Sequence, residues 1–178
     1  MKNIAISTIT LIALALLAPA AEPEAKPDAK PAAEIANGDD AKQLEKKAIG
    51  YWAPDTEALV KFYIEKMGMP EQEGQAVAAQ FSKITFHVEL GKVHVYSEQG
   101  VTVVAYEILA ADQAAGSLKV RAISPDPAEK KQELELLIKD QQITVMGGKD
   151  QPPFLLKKID EAEFLKRKAA VPAKRAGG

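Results

Sequence analysis

The chain has 178 residues, 23 basic against 25 acidic side chains for a net charge of −2, and no cysteine. Near-neutral charge gives no field for nucleic acid, and the missing cysteine excludes disulfides, thiolate metal sites, a thiol nucleophile and a lipidated cysteine. The length suits one domain with a single sizeable core and tethered ends.

Lys2, the apolar run Ile4 to Leu17 and the small residues Ala18-Pro19-Ala20 make residues 1–20 a signal peptide with its cleavage site. The apolar run is shorter than the ~20 residues of a membrane-spanning helix, so no transmembrane segment is expected and the mature chain is placed in the periplasm or outside the cell. Residues 21–40, with Pro23, Pro27 and Pro31 among Ala and alternating charge, read as a solvated linker. The folded domain is expected over 41–163.

A short helical turn at 41–47 and a first strand, Ala48 to Trp52, ended by Pro54, open that domain. Asp55 is an N-cap for an amphipathic helix whose stripe is Leu59, Tyr63 and Met67, with Gly68 as its left-handed stop. Pro70 and Glu71 start a second helix, expected to bury Ala76, Val77 and Phe81.

From Lys83 the hydrophobic period falls to two. Ile84, Phe86 and Val88 oppose Thr85, His87 and Glu89. Leu90-Gly91 turns the chain so that Val93 and Val95 return on the apolar face. A strand over 101–109, a loop over 112–116 and a strand with Leu118, Val120 and Ala122 inward follow. After Pro125 and Pro127, Leu134, Leu136 and Ile138 lead through an Asp140-Gln141 turn to Ile143 and Val145, and Phe154 to Ile159 is the last strand. Connections this short imply antiparallel neighbours. The fold class is mainly β with a helical insertion: an antiparallel up-and-down barrel of about eight strands, with one or two helices after the first. An α+β roll, with helix 55–67 across a curved open sheet, is the alternative. Residues 164–178 carry bases only (Lys166, Arg167, Lys168, Lys174, Arg175) and read as a flexible basic tail.

Gly50-Tyr51-Trp52 at the opening strand of such a meander resembles the G-x-W start of lipocalins and of lipocalin-like domains in bacterial secreted proteins. The close Leu156-Lys157-Lys158-Ile159-Asp160 resembles the strand that seals those barrels. The resemblance implies a structural role for Gly50 and Trp52, with the indole plugging one end of the barrel beneath Lys157 or Lys158. Helices at 55–82 stand where that family has a loop. Over the mouth they form a lid, and in the centre they leave no cavity.

A hollow barrel would be lined by Phe86, Val88, Val93, Val95, Val120, Leu134 and Leu136, with Ile84 and Ile143, a surface suited to a lipid or another apolar small molecule. The turn at Leu90-Gly91 sets His87 opposite His94 with Cβ atoms ~5 Å apart, within reach of one zinc or copper ion if Glu89 or Glu107 adds a third ligand. The other reading is an ordinary solvated face. No G-x-S-x-G elbow, phosphate loop or H-E-x-x-H occurs, and Glu133 and Glu135 beside Lys131 and Lys139 read as a charged outer stripe. The expectation is a non-catalytic binding module without a cofactor. An envelope interaction protein using the basic tail or a sheet edge is the second reading, and metal binding at His87 and His94 the third.

Overall fold

The computed structural model describes residues 38–123, 132–147 and 152–170. The expected signal peptide, most of the linker, Pro125, Pro127, Gly148 and the tail beyond residue 170 lie outside the described residues.

Eight strands close into one antiparallel barrel in sequence order: β1 (Gly50–Pro54), β2 (Thr85–Glu89), β3 (Lys92–Ser97), β4 (Gly100–Asp112), β5 (Ser117–Ile123), β6 (Glu133–Lys139), β7 (Gln142–Met146) and β8 (Phe154–Ile159). Closure is made by β1 with β8, through Tyr51↔Ile159, Trp52↔Lys158, Ala53↔Lys157 and Pro54↔Leu156. The open α+β roll is thereby excluded. Among the described residues closure leaves no edge strand, so the barrel offers no sheet edge as a partner surface. A register shift between Ile108 and Ala110 bends the long β4 as it runs along β5.

Among the described residues four helices flank the barrel. The first, α1 (Gly38–Ala48), corrects the expectation of a linker to residue 40, a single turn at 41–47 and a strand from Ala48. Asp39 and Asp40 in its first turn and Lys46 and Lys47 in its last complement the helix dipole. It buries Leu44 and Ala48 across the barrel end from which the 90–91 and 113–116 turns project.

At the opposite end, α2 (Thr56–Glu65) and α3 (Glu71–Phe81) form a helical hairpin between β1 and β2. Asp55 caps α2 by accepting from the Ala58 N–H, and Gly68 takes φ +65° after it, as expected. Two details differ. Met67 is 48% exposed because the helix stops before it, and α3 buries Gly74, Ala78 and Phe81 while Ala76 faces solvent. Gly74 faces α2 closely, where a Cβ would meet Ile64 Cγ1 at 3.3 Å.

Finally, α4 (Glu161–Ala169) starts at Asp160, whose side chain accepts from the Glu163 N–H, and packs outside β1 and β2. Residues 164–169, expected as the start of a flexible tail, are the body of this helix, with Phe164 buried in its seam. No helix among the described residues is long and apolar enough to cross a membrane.

Candidate functional site

Alternation along the strands points one side chain in two into the barrel, and these do not fill it. A cavity of about 190 Å³ remains, almost entirely apolar. Phe86 and Val88 of β2, Val93 and Val95 of β3, Val120 of β5, and Leu134 and Leu136 of β6 all face it, as does Ile143. Ile84 is buried in the core but is not part of the lining.

Both ends of the cavity come from elements outside the alternating pattern. At the α1 end, Ala48 closes the wall and Glu45 anchors the helix to the β2–β3 hairpin. Its Oε1 accepts from the Gly91 N–H at 2.9 Å and from the Tyr106 hydroxyl at 2.8 Å. Burial, reinforced by the hydrogen bond to Glu45, pushes the Tyr106 phenol far above its ordinary value. At the other end Tyr63 of α2 and Phe81 of α3 reach the lining, and Phe81 meets Phe154 edge-on at 5.1 Å between ring centres. The helical hairpin therefore covers one end and leaves the centre empty.

Among the described residues the polar groups on the lining are few: the phenols of Tyr63 and Tyr106 and the carboxamide of Gln132. Gln132 Oε1 is buried with no hydrogen-bond partner. Among the described residues no Asp, Glu, Lys, Arg or His belongs to the lining.

Trp52, fully buried, donates from Nε1 to the Ala48 carbonyl at 2.8 Å, while the Lys158 ammonium stands 5.5 Å from its ring centre. Of the two expected lysines, Lys158 is therefore the one over the indole. Lys157 sits one residue back on β8, paired with Ala53 and with Gln142 of β7. Gly50 adopts φ +130°, and a Cβ there would meet Lys158 Cε at 3.3 Å.

His87 and His94 are directly paired across β2 and β3, as the turn requires. Glu89 Oε1 lies 3.5 Å from His87 Nδ1 and 3.3 Å from His94 Nε2. The second approach is not aligned as a hydrogen bond, so His94 Nε2 is buried without a bonded partner. Lys92, 2.8 Å from Glu89, holds that carboxyl below the usual range. The imidazoles stack at 5.6 Å, and Phe164 of α4 lies against His87. Glu107, the other expected third ligand, is instead bonded to Arg121 on the β4–β5 face. Among the described residues no group of three His, Cys, Asp or Glu side chains is arranged to hold a metal ion.

Glu133 receives Lys119 at 2.8 Å and Arg121 at 2.7 Å, which lower its pKa, with Lys119 the larger cause. Glu135 accepts from the Ser117 hydroxyl. Both belong to the outer charge ladder expected of them.

Period-two counting could not place Ala48, Tyr63, Phe81, Tyr106 and Gln132 on the lining. Three lie on helices, Gln132 precedes its strand, and Tyr106 is recognisable only once the β3–β4 register is known. No family profile matches the chain, and neither do curated proteins nor solved structures.

Proposed function

We propose that this chain is an exported, non-catalytic, lipocalin-like module that binds a small apolar molecule inside its barrel. The observation that carries this reading is the cavity of about 190 Å³ bounded by Val, Leu, Ile and Phe side chains. Apolar cavities of ~150 Å³ stay dry and take up benzene-sized molecules, because water gains no partners there while a hydrocarbon gains dispersion contacts. The volume suits one aromatic ring or a short alkyl chain. It is well under the ~300 Å³ at which drug-sized ligands are accommodated.

Two further features support the reading. Trp52 beneath Lys158, at the start of a closed eight-stranded meander, matches the arrangement on which the lipocalin resemblance rests, although α2 and α3 replace a loop. Among the described residues the lining carries no carboxylate, histidine or lysine, so these residues offer no general acid–base pair of the usual kind. Export rests on the leader features of residues 1–20.

The test is a thermal-unfolding titration with toluene on the native protein and on Val120→Phe, whose ring would occupy the cavity. Binding to the folded state raises Tm by mass action. The native protein is expected to shift and the variant not to. No shift in the native protein, or equal shifts in both, contradicts the proposal.

A further inference from the structure

We infer that the ligand is a neutral molecule with one hydrogen-bond donor, such as a phenol or a short alcohol, and that Gln132 is the residue that receives the donor. This inference rests on the barrel interior being a ligand site. Gln132 belongs to the cavity lining, yet its Oε1 is buried and accepts no hydrogen bond. A buried amide oxygen left in that state is unfavourable, and native folds retain few of them. The terminal torsion of glutamine is broad, so a small rotation presents the oxygen to a guest hydroxyl without disturbing the strand. Of the two phenols on the lining, that of Tyr106 is already committed, because its hydroxyl lies 2.8 Å from Glu45 Oε1 and 3.2 Å from the Glu89 carbonyl.

The sign of the guest follows from what the lining lacks. A carboxylate or phosphate placed there would lose its hydration and meet no cation among the described residues, since no Lys, Arg or His of these belongs to the lining. An ionised fatty acid is therefore disfavoured, and an uncharged guest of matching size is not. Sites that present a buried acceptor also discriminate against analogues without the donor, because the acceptor then stays unpaired.

Calorimetric titration of the native protein with 4-methylphenol, 4-methylanisole, toluene and 4-methylbenzoate tests this. The phenol is expected to bind about ten-fold more tightly than its methyl ether, which keeps the ring and loses the donor. In Gln132→Leu the ratio is expected to fall to about one. Equal affinity for phenol and ether in the native protein overturns the assignment of a donor, and tight binding of 4-methylbenzoate overturns the neutral guest. An unchanged ratio in Gln132→Leu overturns the role of Gln132. In each of these cases toluene binding would leave the apolar cavity standing as a site, whereas failure of toluene itself to bind would remove both. The native phenol–ether comparison stands without the variant.

Discussion

Lys158 holds its ammonium 5.5 Å above the indole of Trp52, and the space that its side chain crosses is available because residue 50 has no Cβ. The three residues form one device at the closing seam of the barrel. Gly50→Ala combines a φ of +130° with a tight 3.3 Å approach to Lys158 Cε, and is expected to destabilise by ~1–3 kcal/mol. Shortening Lys158 to alanine in the same chain relieves the tight contact alone, so it restores only part of the loss. Trp52→Ala removes a fully buried ring and its hydrogen bond to Ala48, and is expected to cost ~3–5 kcal/mol. Urea unfolding midpoints at constant slope check all three.

Alkaline stability should report the Tyr106–Glu45 contact. Burial and the Glu45 carboxylate raise the folded-state pKa of Tyr106, whereas an unfolded tyrosine ionises near ~10. Above that value the unfolded chain sheds a proton that the folded one keeps, so stability is full below pH ~10 and falls as pH rises. Tyr106→Phe is expected to decline less steeply than the native protein in unfolding free energy measured from pH ~9 to ~11, the window around the ionisation of an unfolded tyrosine. Equal slopes would show that the phenol is not coupled to folding.

Thr85 is fully buried, and its hydroxyl has no hydrogen-bond partner. Thr85→Val keeps the branched shape suited to a strand and removes the stranded oxygen. A gain of ~1 kcal/mol in unfolding free energy is expected, against the usual direction of core substitutions. A loss of that size would mean that the hydroxyl is satisfied in solution.

Phe164 anchors α4 to the barrel, with its ring 4.4 Å from Tyr51 and 5.2 Å from Tyr96, centre to centre. Phe164→Ala is expected to cost ~3–4 kcal/mol, and truncation after Glu163 at least as much, measured by thermal unfolding. Asp160→Ala, which removes only the N-cap, should cost ~1 kcal/mol. A truncated chain with native stability would detach α4 from the folded unit.

The barrel was legible because two-residue alternation survives in every strand that borders water, and that alternation also placed Phe86, Val88, Val93, Val95, Val120, Leu134 and Leu136 on the inner face. Turn chemistry was equally direct: Gly91 takes φ +70° where Leu90-Gly91 reverses the chain. What local sequence does not display depends on contacts between distant segments. Helix α1 offers only Leu44 and Ala48 to the core among charged neighbours, so its local composition resembles a linker. Thr85 sits on the polar side of the β2 alternation but is fully buried in the folded chain. Phe164 looked like one aromatic in a basic tail, and only the fold sets it against Tyr51 and Tyr96. Gln132 carries no pattern at all, since an orphaned oxygen exists only in three dimensions.

A crystal structure of the protein equilibrated with 4-methylphenol tests the central claim most directly. The account expects one ring inside the barrel, among Val93, Val120, Leu134 and Ile143, with its hydroxyl on Gln132. An empty barrel at saturating ligand, or a ring bound only on the outer surface, would contradict it.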